Sequence, residues 1–108
     1  MTKREGVVRT YQHHNNRLAV LAEVSCDTDL VARNAEFLRF VDELLMQVAN
    51  NNPGSVETLL EQNWLFDESR TVADLLLEQN KKFGEDIRIQ SFIRWTLDPE
   101  AVEDSEDE

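Results

Sequence analysis

The sequence predicts an α+β domain, with a small three-stranded antiparallel sheet backed by helices in the chain order β-β-α-α-α-β. Two strand-like runs come first, three segments with helical spacing of apolar residues follow, and one alternating run comes last. Strands and helices grouped in this way favour an antiparallel sheet with helices on one side over an alternating α/β fold. The length of 108 residues and the apolar fraction of 41% suit one domain.

The first two strands are predicted to form a hairpin within residues 6–25. Asn15 and Asn16 lie between the two β-rich runs, and asparagine tolerates the positive φ of a tight hairpin turn. The second run is apolar on both alternating faces, with Leu18, Val20 and Val24 on one and Ala19 and Leu21 on the other. A strand of this kind needs cover on both faces, so we expect a second layer on the open side of the sheet.

Three helices are predicted between the hairpin and the last strand. The first spans residues 34–50, where apolar residues recur at three- and four-residue steps behind an asparagine N-cap. The second is short and spans residues 55–62, beginning with a serine cap. The third, residues 71–83, begins with threonine and aspartate at capping-box spacing, and Gly84 suits the left-handed position that ends it.

A loop and a strand complete the predicted domain. Trp64–Phe66 supplies three large apolar residues in a loop, which indicates a loop pinned to the core. Residues 87–95 alternate apolar and polar side chains and are predicted as the third strand. We therefore divide the chain into a core domain, residues 1–97, and an acidic tail, residues 98–108, that we expect to be disordered.

The charge of the chain argues against several classes of function. The net charge is −11, and six of the acidic residues lie in the last nine positions. No basic stripe interleaved with aromatic residues is present, which argues against direct nucleic-acid binding. No apolar run approaches the ~20 residues that span a bilayer. The single cysteine fits a reducing compartment, so we expect a cytoplasmic protein without membrane contact.

The sequence offers little for catalysis or for cofactor binding. It contains no glycine-rich phosphate-binding motif and no CxxC pair. His13, His14 and Cys26 do not amount to the three or four converging ligands of a metal site. Asp27 and Asp29 have no nucleophile or orienting base beside them. An enzyme is therefore the weakest functional interpretation, and we expect no metal and no cofactor.

Residues 28–31 combine a cap, an acid and two apolar side chains at the end of the second strand. Thr28 can cap a short helical turn, and Asp29 in its first turn would interact well with the positive helix end. That structural interpretation does not explain why Leu30 and Val31 follow the acid at a tight corner. A short capped turn that presents one acid and one apolar side chain is also a suitable wedge for insertion into another protein.

The segment Thr28–Arg33 resembles the TDFVAR signature of elongation factor Ts, the guanine-nucleotide exchange factor for elongation factor Tu. Further similarities follow in order along the chain: Glu5–Val8 resembles the family's EG strand opening, Leu18–Cys26 its IGVLVEVNC, Thr71–Val72 its TV helix start, Gly84–Ile87 its GENI and Phe92–Trp95 its RFVRF. Several motifs in the same order and at comparable spacing make the resemblance to the core domain of that family specific.

The resemblance implies a protein without an active site, which promotes GDP release by stabilising nucleotide-free elongation factor Tu. In the family the Asp-Phe pair of the signature enters the partner's nucleotide domain and disturbs the region that holds Mg²⁺ and phosphate. Carried over to this sequence, Asp29 and Leu30 are the intruding pair, and Thr28 and Val31 hold their geometry. The resemblance favours the wedge over the purely structural interpretation of residues 28–31.

Three departures from the family pattern bear on this expectation. Leu30 stands where the family has Phe, which removes ring area from the wedge, and Asp86 stands where GENI has Asn. The similarity begins at the core domain, so we expect the family's N-terminal three-helix module to be absent.

Single-core members pair through their sheets, which implies a homodimer. The alternative function is a non-exchanging module that docks on elongation factor Tu or self-associates through its sheet.

Overall fold

The computed structural model describes residues 4–97. Its strands and helices are, in chain order, β1 (Glu5–Gln12), β2 (Leu18–Cys26), α1 (Asp29–Ala32), α2 (Ala35–Asn51), α3 (Val56–Glu61), β3 (Asn63–Trp64), β4 (Asp67–Thr71), α4 (Val72–Phe83) and β5 (Arg88–Thr96). The acidic tail predicted at residues 98–108 lies outside the described residues, so its disorder stays a prediction.

The main sheet confirms the predicted architecture. Its strands lie in the order β1-β2-β5, and both neighbouring pairs are antiparallel. The hairpin turn between β1 and β2 contains Asn16 with a φ of 64°, the positive value expected for asparagine there. Together with α2, α3 and α4, these three strands follow the predicted order β-β-α-α-α-β.

The capping hydrogen bonds confirm the predicted helix ends. The side chain of Asn34 accepts from two backbone amides in the first turn of α2, and Ser55 accepts from one at the start of α3. Thr71 and Asp74 form a reciprocal capping box at the start of α4, where Gly84 ends the helix with a φ of 65°. Each cap satisfies backbone groups that the helix itself leaves unpaired.

The core lies between one face of the sheet and the helices. α2 packs across β1 and β2, and the side chains that it buries are Phe37, Phe40, Val41, Leu44, Leu45, Gln47, Val48 and Ala49. Alternate residues of β2 meet them from the sheet, and each fully buried Leu or Phe side chain contributes about 1.5–3 kcal/mol. No helix within residues 4–97 combines the length and apolar character needed to cross a membrane.

The predicted loop at Trp64–Phe66 is instead the turn of a small second sheet, in which β3 pairs antiparallel with β4. Trp64 is buried against Phe40, with ring centroids 6.2 Å apart, and pins this hairpin as predicted. The prediction was wrong for Leu65 and Phe66, which are exposed. The chain reverses at these two residues, so their side chains point into solvent at the turn rather than into the core.

A bulge interrupts the predicted alternation of β5. The pairing with β2 shifts register beside Val24, where Gln90 has no opposite residue. An extra residue reverses the direction of the side chains that follow it. Ile89 therefore faces the core, whereas Ile93 and Trp95 lie on the opposite face and are 57% and 73% exposed. The second layer expected over this face is not formed by residues 4–97.

Candidate functional site

The turn after β2 presents two side chains to solvent and buries the next two. Thr28 is the N-cap of α1, and its hydroxyl accepts from the amide of Val31 at 3.3 Å. Val31 and Ala32 are buried. Asp29 is exposed, and Leu30 is 75% exposed, more than any other large apolar side chain within residues 4–97. We refer to Asp29 and Leu30 as the tip.

The carboxylate of Asp29 has one partner close by. Arg33 Nε donates to Asp29 Oδ2 at 2.9 Å, one helical turn further along the chain. Both side chains are exposed, so this pair contributes about 0–1 kcal/mol to stability. The bond orients the carboxylate and leaves it accessible. Another molecule could therefore bind the carboxylate without displacing a core contact.

A glutamate from the loop between α4 and β5 holds the turn. Glu85 Oε1 accepts from the amides of Asp27 at 2.9 Å and Thr28 at 3.2 Å. Glu85 Oε2 accepts from the hydroxyl of Thr28 at 2.5 Å. Sequence reasoning identified Thr28 but missed Glu85, because 57 residues separate the two. The only sequence signal was the similarity of residues 84–87 to GENI.

The turn after β2 also supplies a carboxylate to the loop between α4 and β5. Asp27 Oδ2 accepts from the amide of Asp86 at 2.9 Å. Asp27 Oδ1 lies 3.4 Å from the guanidinium of Arg4. Arg88 pairs with Asp86 at 2.9 Å. Each loop therefore supplies a carboxylate to a backbone amide of the other, and charge-assisted bonds of this type are stronger than neutral ones.

Cys26 lies beneath this network and is buried. Burial raises the pKa of its thiol, and the negative charge of Glu85 raises it further. Its Sγ donates to the carbonyl of Thr28 at 3.3 Å. A protonated, buried thiol is a poor nucleophile, so Cys26 acts as a packing residue.

The described part of the chain contains no group of three or more His, Cys, Asp and Glu side chains that could hold a metal ion. His13 and His14 have ring centroids 4.2 Å apart at the β1–β2 turn, and His13 Nδ1 lies 2.9 Å from the hydroxyl of Tyr11. The tip itself offers a paired carboxylate and an aliphatic side chain. These groups suit contact with another molecule rather than bond-making chemistry.

The open side of the sheet is a second exposed surface. Its apolar side chains come from all three strands, and we define it as the outer face: Val8, Ala19, Leu21, Ile93 and Trp95. Leu21 lies opposite Ile93, and Ala19 opposite Trp95, so these residues form one continuous patch across β2 and β5. Large contiguous apolar patches are uncommon on the surfaces of monomeric proteins, which makes the outer face a candidate interaction surface.

The fold and these two surfaces define a small α+β domain with an exposed tip and an exposed apolar face on its sheet. A sequence model of the family described as elongation factor TS matches residues 27–104. This match covers more than half of the chain and begins at the residue before the N-cap of α1. The chain belongs to the elongation factor Ts family.

Known relatives give the same result. The chain is similar to the elongation factor Ts of Clostridium kluyveri, with 37% identity over 99 residues that cover 92% of this chain and 32% of the relative. It is 33% identical to that of Thermoanaerobacter sp. strain X514, covering 96% of this chain and 72% of the relative. For Nitratidesulfovibrio vulgaris the identity is 30%, with 91% and 72% covered. The chain spans about a third of the length of its Clostridium relatives.

Proposed function

We propose that this chain is a guanine-nucleotide exchange factor that binds elongation factor Tu and promotes release of GDP during translation elongation. The observation that carries the proposal is the tip: an oriented carboxylate and a 75% exposed leucine on a turn with fixed geometry. Asp29 and Leu30 enter the nucleotide domain of the partner, while Thr28 caps the turn and Val31 anchors it in the core. The chain needs no cofactor for this and makes no direct contact with nucleic acid or membrane.

The physical basis of exchange is linkage between two binding equilibria. A factor that binds nucleotide-free elongation factor Tu more tightly than the GDP form must weaken GDP binding by the same ratio. Equal affinity for both forms would shift nothing. The tip provides such a difference if it occupies space that becomes available when the nucleotide leaves. We place the protein in the cytoplasm, the compartment in which bacterial translation elongation takes place.

A second candidate function is a docking module that binds elongation factor Tu without driving exchange. Leu30 favours it, because an aliphatic side chain fills less of a partner's pocket than the aromatic ring of the family signature. The two functions share a binding surface and differ in the effect on GDP.

The experiment that separates them is stopped-flow release of a fluorescent GDP analogue from elongation factor Tu. The unaltered chain should accelerate release and saturate. Asp29→Ala should lower the maximal rate about tenfold, as expected for about 1.4 kcal/mol of lost interaction. Leu30→Phe should raise it by up to about fivefold, because the ring adds about 1 kcal/mol of apolar burial.

Leu77→Ala is the matched control, since Leu77 is 61% exposed on α4 and belongs to neither the tip nor the outer face. It should leave release unchanged. Binding without acceleration by the unaltered chain and by Leu30→Phe would select the docking module. Unfolding of Asp29→Ala, seen by circular dichroism, would instead show that Asp29 is a structural cap.

We further propose that the protein forms a homodimer through the outer face. A second copy can supply the layer that the sheet lacks, since the same apolar patch on both copies is self-complementary about a two-fold axis.

A further inference from the structure

The tip has a geometry that its own helix is too short to maintain. α1 contains four residues, and isolated helices below about 12 residues are marginal in water. Val31 and Ala32 are buried and hold the C-terminal half of the turn, but Asp29 and Leu30 are both exposed. Arg33 orients the carboxylate of Asp29 from the C-terminal side. From the N-terminal side, the direction of both residues depends on what fixes the segment Asp27–Thr28 immediately before them.

Glu85 binds both backbone amides of this segment. Its two carboxylate oxygens accept from the amides of Asp27 and Thr28 and from the Thr28 hydroxyl. The hydroxyl has a single proton, which goes to Glu85, and this leaves its lone pairs free for the amide of Val31 at 3.3 Å. Glu85 thus sets the orientation of the cap as well as the path of the backbone.

Glu85 is itself held from both sides. Gly84 ends α4 in the left-handed conformation, and its amide donates to the carbonyl of Asn80 at 2.8 Å. On the other side, the side chain of Asn80 accepts from the amide of Ile87 at 2.8 Å. The carboxylate of Glu85 is therefore presented from a rigid loop, which is what a positioning residue requires.

We propose that Glu85 is the positioning residue of the exchange tip: it preorganises Asp29 and Leu30 through Thr28, and none of its described hydrogen bonds goes to either of them. This inference rests on the proposed exchange function. A tip that is already ordered loses less conformational entropy on insertion. Loss of Glu85 therefore lowers the rate at which the bound chain expels GDP more than it lowers binding.

The test compares Glu85→Gln with the unaltered chain in the GDP-release experiment. The glutamine keeps one oxygen for the two amides, but its nitrogen cannot accept the Thr28 hydroxyl proton. The maximal rate should fall about tenfold, equivalent to about 1.4 kcal/mol, while the half-saturating concentration changes less. Glu61→Gln removes the same charge from an exposed position on α3 and should behave like the unaltered chain.

A second comparison asks whether Glu85 acts through Thr28. Thr28→Val should reduce the maximal rate to a similar extent, and the double variant Glu85→Gln, Thr28→Val should be no slower than the slower single variant. Thr28→Ser keeps the hydroxyl and should retain more of the rate than Thr28→Val. Additive losses in the double variant would overturn the proposed route through Thr28.

Amide hydrogen exchange provides a readout that does not depend on elongation factor Tu. Glu85→Gln should increase exchange at Thr28 and Val31 and leave the amides of α2 unaffected. Unchanged protection, or a uniform rise across the domain, would overturn the inference, the latter by showing a general stabilising role. If the unaltered chain does not accelerate GDP release, the proposed function fails and this local exchange result alone decides whether Glu85 orders the tip.

Discussion

At the scale of single residues, this domain uses buried or half-buried polar side chains to fix its turns. Glu85 does so for the tip, and Gln47 does so for the β3–β4 hairpin. Gln47 is fully buried on α2. Its amide nitrogen donates to the carbonyl of Asn63 at 3.0 Å and to Gln62 Oε1 at 3.1 Å, while its oxygen accepts from the amide of Leu65 at 2.7 Å.

Replacing Gln47 should therefore be costly despite the apolar surroundings. Gln47→Leu would leave the carbonyl of Asn63 and the amide of Leu65 without their partner, and we expect a loss of about 1–3 kcal/mol in the free energy of unfolding. Gln79→Leu is the matched control, because Gln79 Oε1 is buried with no partner among the described residues. It should be neutral or stabilising. Urea unfolding of both variants measures the difference, and equal losses would refute this account.

At the scale of elements, the strands and helices with strong local signals were predicted and the long-range features were not. The hairpin turn, three helix caps and the left-handed Gly84 follow from residues adjacent in sequence, and all were confirmed. The β3–β4 sheet was missed because Asp67–Thr71 is polar and lacks the alternation of a strand. Its hydrogen bonds, rather than burial, make it a strand.

The bulge in β5 is a second long-range feature that the sequence pattern did not predict. Strict alternation over residues 87–95 would place Ile89, Ile93 and Trp95 on one face. The unpaired Gln90 separates Ile89 from the other two, and that depends on the register with β2, which is a long-range property.

The candidate site also has one part that local sequence predicts and one part that it does not. The capped turn of Thr28 to Val31 was predicted from neighbouring residues, whereas Glu85 could be found only from the folded arrangement of two distant loops.

The contact between β1 and β2 gives a prediction at the same scale. Gly6 has a φ of 154°, and a Cβ atom there would lie 2.5 Å from the carbonyl oxygen of Val24 and 2.7 Å from the Cα of Ser25. The two strands must move apart to accept a side chain, so Gly6→Ala should lower the free energy of unfolding by about 1–3 kcal/mol.

The control is Gly54, where a Cβ atom would have no heavy atom within 4 Å. Gly54→Ala should therefore be neutral or stabilise by up to about 1 kcal/mol. Thermal unfolding of the two variants tests this, and equal shifts would contradict the close approach.

At the scale of the whole molecule, the tip and the outer face are separate surfaces, and the proposals above assign them separate roles. The tip lies on the turn that follows β2, whereas the paired residues of the outer face lie in the first half of β2 and the last half of β5, towards the other end of the sheet. If the tip drives exchange and the outer face pairs two copies, substitutions at one surface should leave the other function intact. This separation makes the homodimer testable without reference to elongation factor Tu.

The expected result is a dimer of the 12.5 kDa chain that dissociates when the outer face is charged. Trp95→Lys places a cation at the 73% exposed end of the patch, and burying it against a second copy would require the loss of its hydration without a partner. Sedimentation equilibrium over a range of concentrations should give a dimer for the unaltered chain and a monomer for Trp95→Lys.

Leu77→Lys introduces the same charge at an exposed leucine of α4 and should remain dimeric. A monomer at every concentration for the unaltered chain would refute pairing through the outer face, and a dimer that survives Trp95→Lys would place the interface elsewhere.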